Sequence, residues 1–129
     1  MTITKTININ TSPDKVWDYV NNLSNWPEWA IHNITDSNKG DDEYWLMKGP
    51  RGVSKVKMHS NKVFGILDHE FIDPSEGSWL VPCRVIAGHE GAHFMISFTK
   101  PAQMPNEAFK MAMKLLDEEL LALKQIIEE

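Results

Sequence analysis

Residues 104–129 read MPNEAFKMAMKLLDEELLALKQIIEE, the longest run in the chain with one unbroken hydrophobic period. Its apolar residues recur at spacings of four and three, which predicts one apolar stripe on an amphipathic helix. The stripe consists of Phe109, Met113, Leu116, Leu120, Leu123 and Ile127. Pro105 fits the first turn, where a missing N–H costs nothing, and Met104 or Asn106 is the cap. A helix over Pro105–Glu128 is roughly 36 Å long at 1.5 Å per residue, so it needs a partner of equal length.

Composition sets the limits for the remaining residues. A chain of 129 residues with 42% hydrophobic content fits a single domain over residues 1–129. The net charge of −5 disfavours a nucleic-acid partner. A single cysteine, Cys83, excludes an internal disulfide, and no signal-peptide pattern is visible, so a cytoplasmic location is expected. Apolar runs fall short of the roughly 18 residues of a membrane span, so we expect no integral membrane association.

The residues before the long helix predict one strand, two short helices and a series of hairpins. Thr2–Ile9 alternates with period two, which is typical of a half-buried strand. Ser12-Pro13-Asp14 supplies an N-cap and first turn, and Pro27 ends the first helix and opens a second. Turn signals then recur about every ten residues, which indicates about six antiparallel strands. They are Lys39-Gly40-Asp41, Gly49-Pro50-Arg51-Gly52, Ser60-Asn61, Asp73-Pro74-Ser75-Glu76-Gly77 and Gly88-His89-Glu90-Gly91.

These turns also predict which side chains share a face, because residues paired across a ladder lie on the same side of the sheet. Four turns place mostly apolar side chains on one face. The predicted pairs are Val85–Phe94, Cys83–Ile96, Val81–Phe98, Phe71–Trp79, His69–Val81, Leu67–Cys83, Met58–Val63, Val56–Gly65 and Ser54–Leu67, with Trp45 and Met47 on the same side.

The predicted fold is α+β, with a strongly curved antiparallel sheet gripping the long helix. Side chains of a curved sheet diverge from the helix near one end, which leaves room for a cavity. Large apolar walls with few polar groups are typical of small-molecule pockets. The predicted lining is Trp26, Trp29, Trp45, Met47, Ser54, Met58, Leu67, His69, Phe71, Trp79, Phe94, Phe109, Met113 and Leu116.

His69 is the candidate catalytic residue, because its predicted inward position favours a neutral imidazole able to exchange a proton. A core histidine bonded to a backbone carbonyl is the competing interpretation. If the register slips by one residue, Asp68 turns inward instead. Cys83 is interpreted as a small buried hydrophobe, and Arg84 as an outer-face residue. His89-Glu90-Gly91-Ala92-His93 spells a zinc-protease pattern, but it lies on a predicted hairpin rather than a helix, so no metal site is expected.

The opening strand, Ser12-Pro13-Asp14-Lys15-Val16-Trp17 and Trp26-Pro27-Glu28-Trp29 resemble the start of the SRPBCC superfamily. That group includes START lipid-transfer domains, birch-pollen allergen relatives and polyketide cyclase/dehydrase-like proteins. Residues 65–69, 81–86 and 94–98 resemble its largely uncharacterised polyketide cyclase-like bacterial branch. The resemblance implies a helix-grip fold, in which a seven-stranded antiparallel sheet wraps around the final helix over an apolar cavity, with two short helices between strands 1 and 2.

Three functions follow as hypotheses. The first is binding of a small hydrophobic molecule such as a lipid, polyketide or aromatic compound. The second is a polyketide cyclase or dehydratase with His69 as acid and base. The third is a co-chaperone-like domain that binds a partner on the outer face of the sheet. None requires a cofactor, and either a monomer or a homodimer is compatible with the sequence.

Overall fold

The computed structural model describes residues 1–73 and 77–129, and it is an α+β fold in which antiparallel sheets wrap around a long C-terminal helix. The helices are α1 (Pro13–Asn21), α2 (Trp26–Trp29) and α3 (Asn106–Glu128), with a 3-10 turn at Leu23–Asn25. The strands are β1 (Thr2–Ile9), β2 (Asp36–Lys39), β3 (Trp45–Gly49), β4 (Gly52–Met58), β5 (His69–Asp73), β6 (Gly77–Val81), β7 (Cys83–Gly88) and β8 (Gly91–Thr99). The predicted helix-grip fold is confirmed.

The strand count differs from the prediction. The described residues form eight strands in two sheets, ordered β1-β8-β7 and β2-β3-β4-β5-β6, instead of seven strands in one. The division falls at Pro82, between β6 and β7, because proline has no N–H to donate to a ladder. Ser97 still donates its backbone N–H to the Pro82 carbonyl at 2.9 Å. The predicted pair Val81–Phe98 is not formed, because the β7–β8 ladder ends at Cys83–Ile96.

One predicted turn is wrong. The chain does not fold back at Ser60-Asn61, since Met58 pairs with His69 and Val56 with Phe71. Met47 pairs with Ser54, which agrees with the predicted Gly49–Gly52 turn. The partner of Val56 is therefore six positions further along the chain than Gly65. An even displacement leaves Met58, Val56 and Ser54 on their predicted face, since the side-chain period of a strand is two. Val63, the predicted partner of Met58, is the exception, because it lies in a turn and is 88% exposed. The cavity-facing assignment therefore survives the wrong turn.

The other register predictions agree with the ladders. Val85 pairs with Phe94 and Cys83 with Ile96, so the last hairpin closes over His89 and Glu90. Phe71 pairs with Trp79 and His69 with Val81. Leu67 donates its backbone N–H to the carbonyl of Cys83 at 2.9 Å. Of the predicted Asp73–Gly77 turn, Pro74, Ser75 and Glu76 lie outside the described residues.

The long helix buries the predicted stripe. Phe109, Met113, Leu116, Leu120, Leu123 and Ile127 are all buried, and α3 packs against β1 and α2. Pro105 is the N-cap rather than a first-turn residue, since its backbone is extended, with φ −62° and ψ 148°. At α1, the Ser12 side chain accepts the backbone N–H of Lys15 as predicted. No helix in the described part of the chain is long and apolar enough to cross a membrane.

The five-stranded sheet ends on a short polar strand. Strand β2 has four residues, Asp-Ser-Asn-Lys, and pairs only with β3 in the described sheet. The loop before β2 lies against Gly49, the last residue of β3. A Cβ atom at Gly49 would lie only 2.1 Å from the carbonyl oxygen of Asn33 in this loop. Glycine at this position therefore lets the loop after α2 approach the sheet.

Candidate functional site

A cavity of about 410 Å³ lies between α3, α2 and the inner face of the sheets. Its mouth is formed by the β3–β4 turn, the loop that follows β8 and the first turns of α3. Pro50, Arg51, Pro101 and Met111 line this end and are exposed. The opposite end is formed by buried side chains of α2 and β5, so the cavity runs from an open mouth to a buried wall.

Most of the predicted lining residues meet at this cavity. They are Trp26, Trp29, Met47, Ser54, His69, Phe71, Trp79, Phe109, Met113 and Leu116. The remaining predicted residues, Trp45, Met58, Leu67 and Phe94, are not part of the lining. Leu67 and Phe94 are 0% exposed and belong to the packed core, while Trp45 and Met58 are half-buried against it. Periodicity assigns a face, but it does not separate packed positions from cavity positions on that face.

Aromatic rings form one wall of the cavity, which begins at the buried Trp26, Trp29 and His69 and continues to the half-buried Phe71 and Trp79. The ring of His69 packs edge-on to Trp26, with centroids 4.9 Å apart, and Trp29 packs edge-on to the same indole at 5.6 Å. Phe71 contacts His69 at 5.6 Å and stacks on Trp79 at 5.7 Å. The wall is thus a continuous chain of ring contacts from Trp29 to Trp79.

His69, which the sequence predicts as the candidate catalytic residue, is a titratable side chain in this wall. Its side chain is 2% exposed, and its Nδ1 lies 3.0 Å from the carbonyl oxygen of Leu67. Because a carbonyl only accepts, Nδ1 carries the proton and Nε2 keeps its lone pair in the neutral ring. Burial lowers the pKa of His69 from 6.5 to about 4. The ring is therefore neutral at pH 7, and Nε2 carries its lone pair.

Glu119 is a buried carboxyl in the same cavity lining, on the face of α3 that packs inward. Its Oε2 accepts the backbone N–H groups of His32 at 3.0 Å and Asn33 at 3.2 Å, and its Oε1 accepts Nδ2 of Asn33 at 3.0 Å. Burial raises the pKa of Glu119, and these donors partly oppose that shift. The carboxyl thus ties α3 to the loop after α2.

The other residues considered from the sequence, Asp68, Cys83 and the His89–His93 pattern, do not line the cavity. Asp68 forms an ion pair with Arg84 and accepts the backbone N–H of Cys83 at 2.8 Å, and it is not among the cavity-lining residues. Burial raises the pKa of the Cys83 thiol, so no thiolate nucleophile forms there. His89 and Glu90 occupy a two-residue hairpin turn. No group of His, Cys, Asp and Glu residues able to hold a metal occurs within residues 1–73 and 77–129.

Comparison with known families places this geometry in context. Residues 1–69, which run from β1 to the first residue of β5 and include His69, match the family described as polyketide cyclase / dehydrase and lipid transport. This is more than half of the 129 residues. The chain belongs to this family. The SRPBCC assignment is confirmed with it. No curated protein matches the sequence.

Several solved structures have the same fold as this member of the polyketide cyclase/dehydrase and lipid transport family. The protein XoxI from Bacillus cereus superposes with a TM-score of 0.76 at 18% identity, covering 98% of this chain and 94% of that one. A START superfamily protein from Mycobacterium smegmatis gives 0.72 at 12% identity, covering 98% and 97%. Ara h 8.0201 gives 0.68 at 12% identity, also covering 98% and 97%. At these identities the similarity establishes the fold alone.

Sequence reasoning missed several cavity residues of this family member. Glu119 is the most informative, since it lies three residues after Leu116 and four before Leu123, which is on the buried stripe. A carboxylate at a stripe position was the available signal. The mouth residues carried no such signal, because the loop after β8 and the β3–β4 turn meet only in the folded chain.

Proposed function

We propose that the protein binds a small hydrophobic molecule in the cavity between the sheets and α3. The proposal rests on one observation, a cavity of about 410 Å³ that is lined by indole, phenyl and thioether groups. Ligand pockets of this type have volumes of about 300–1,000 Å³ and few polar groups. The family description, which includes lipid transport, agrees with such a role.

A cavity-filling variant tests the proposal. Ala112 lines the cavity from α3, so Ala112→Trp places an indole inside it. We expect the neutral fluorescent probe N-phenyl-1-naphthylamine to bind the wild type and to bind Ala112→Trp at least about tenfold more weakly, because the added ring occupies the ligand's volume. The measurement is a fluorescence titration, accompanied by native mass spectrometry of freshly purified protein for a retained hydrophobic molecule.

Lys114→Trp is the matched control, since Lys114 is an exposed residue of the same helix outside the cavity lining. It adds the same ring and should leave the affinity unchanged. Absence of probe binding to the wild type, or equal affinity for wild type and Ala112→Trp, would contradict ligand binding in this cavity.

A second candidate function is a ring-closing reaction in which His69 acts as acid and base. The specific observation in its favour is the neutral imidazole in the cavity wall, oriented by the Leu67 carbonyl. In an aldol closure Nε2 would remove a proton next to a carbonyl, and the new alkoxide would take a proton back. His69 would leave the cycle unchanged, so this reaction needs no cofactor.

A simple diketone distinguishes the two functions. For an enzyme we expect the protein to accelerate the intramolecular aldol closure of 2,6-heptanedione, whose aldol product loses water to give 3-methylcyclohex-2-enone. The ultraviolet absorbance of the enone measures the rate. His69→Ala should then lower the rate about 100-fold or more, in the range of general acid–base contributions, which is a larger factor than the change in its affinity for N-phenyl-1-naphthylamine. An equal rate in both proteins would exclude His69 as the catalytic group.

A further inference from the structure

The turn between β4 and β5 carries two apolar side chains on its outside. Val63 is 88% exposed and Phe64 is 71% exposed, the largest fractions among the large hydrophobic residues in the described part of the chain. Turns more often hold glycine, proline, asparagine, aspartate or serine, which suit the backbone of a turn. Two adjacent apolar side chains in such a position are typical of a surface that another molecule covers.

Hydrogen bonds build this turn and attach it to the fold. Asn61 and Ile66 donate their backbone N–H groups to each other's carbonyls, both at 2.9 Å. The Ile66 carbonyl also accepts Nε1–H of Trp17 on α1 at 3.0 Å, and the Gly65 carbonyl accepts the N–H of Val85 on β7 at 2.9 Å. The two apolar side chains therefore stand on a turn that is bonded to both neighbouring elements, so a partner has little backbone to order when it binds.

A groove of about 280 Å³ lies beside this turn, between α1 and β7. Val63 and Phe64 line it together with the half-buried Trp17 and with Ile86, which is 47% exposed. These four residues form the turn patch. Of the described residues, none lines both this groove and the cavity proposed for ligands. A protruding pair of side chains and a recess therefore lie next to each other on one surface, separate from the cavity.

The charges at the groove are balanced. Among the described residues its lining holds one carboxylate, Asp14, and one ammonium group, Lys62, which pairs with Asp18 at 2.8 Å. A membrane with anionic lipids attracts proteins through an excess of basic residues, and this groove has no such excess. A second copy of the chain brings one carboxylate and one ammonium group to the same surface, which lets opposite charges meet without an excess of either sign.

We propose that the turn patch is a homodimer interface, in which Phe64 of each copy enters the groove of the other. A two-fold interface is formed by the same surface on both copies, so it needs a protrusion and a recess in one patch. Aromatic side chains that fill a pocket are common anchors of protein interfaces. A stable interface buries about 800 Å² per partner, so the turn patch forms its apolar centre and the polar side chains of α1 form its rim. This inference does not depend on the proposed function, because the cavity is lined by other residues.

Sedimentation velocity over a dilution series of the full chain tests the interface. We expect a concentration-dependent dimer for the wild type. Phe64→Asp should raise the dimer dissociation constant at least about 100-fold, because symmetry removes both copies of the anchor together. Leu121→Asp is the matched control, since it adds the same carboxylate at a position of α3 that is 50% exposed and outside the groove lining, and it should leave the dimer unchanged. Circular dichroism checks that both variants fold, and Phe64→Ser replaces Phe64→Asp if the latter does not.

Two further measurements separate the second copy from other occupants. On dilution of the unmodified protein, backbone amide resonances of residues 62–65 and 86–87 should shift, while those of residues 50–52 at the cavity mouth stay in place. Flotation with vesicles of phosphatidylcholine and phosphatidylglycerol should leave the protein in solution. A wild type that is monomeric at every concentration, a dimer that the Phe64 variant leaves intact, or vesicle binding that this variant abolishes would each overturn the proposal. The affinity for N-phenyl-1-naphthylamine should be the same in wild type and Phe64→Asp, so failure of the dimer leaves the proposed ligand binding intact.

Discussion

Replacing Phe94 with alanine is expected to lower the free energy of unfolding by about 3–5 kcal/mol. Phe94 is 0% exposed, pairs with Val85 across the β7–β8 ladder and with Ile7 across the β1–β8 ladder, and contacts the ring of Trp29 at 6.4 Å. The loss combines the transfer energy of the ring with a void that neighbours on two strands are too constrained to fill. Urea denaturation followed by circular dichroism measures it.

Phe71→Ala is the matched comparison. Phe71 is also a strand phenylalanine facing inward, but it lines the cavity and is only half-buried. Its removal enlarges a space that already exists, so we expect a loss of about 1–2 kcal/mol, below the range for phenylalanines in packed cores, and weaker binding of N-phenyl-1-naphthylamine. A larger loss of unfolding free energy for Phe71→Ala than for Phe94→Ala would contradict the assignment of Phe94 to the packed core and of Phe71 to the cavity lining.

The stability of the protein is expected to fall in mild acid because of His69. Its pKa is about 4 in the folded chain, against 6.5 for an unperturbed histidine. Between these two pH values the unfolded chain binds a proton that the folded chain does not, so the free energy of unfolding decreases as the pH decreases. The loss begins near pH 6.5 and approaches about 3 kcal/mol below pH 4.

His69→Ala isolates this effect. Glu119 has the opposite sign, because its raised pKa lets the folded chain hold a proton that the unfolded chain releases, and stability from that group increases as the pH decreases. Glu119 is present in both proteins, so the difference between their urea-denaturation curves at about pH 7, 6, 5 and 4 reports His69. Parallel pH profiles for wild type and His69→Ala would mean that His69 is solvated and protonates normally.

The sequence was a reliable guide to elements and faces. The stripe of α3 and the alternation of β1 follow from local spacing, and each of these elements buries one side. Even the misplaced turn at Ser60-Asn61 preserved the face of Val56, because the displacement was even. The inward position of His69 was predicted from the same registers, and the ladder contains the predicted pairs His69–Val81 and Phe71–Trp79.

The distances between the sheet and the helix that packs on it could not be predicted from the hydrophobic periods of the sequence. Leu67 and Phe94 share the predicted inner face with Phe71, yet two are packed solid and one borders open space. The separation between a sheet and a helix depends on three-dimensional curvature, which no hydrophobic period encodes. The Glu119 contacts with His32 and Asn33 span more than 80 positions and were equally out of reach.

The short strand β2 has a consequence for self-association. An edge strand offers unpaired N–H and C=O groups to any other extended chain, and long apolar edges recruit further strands into aggregates. Here the edge is four residues long and carries Asp36 and Lys39 at its ends, so an incoming strand gains few hydrogen bonds and must desolvate two charges. The polar edge thus disfavours fibrous growth of a sheet whose inner face must stay apolar for the cavity.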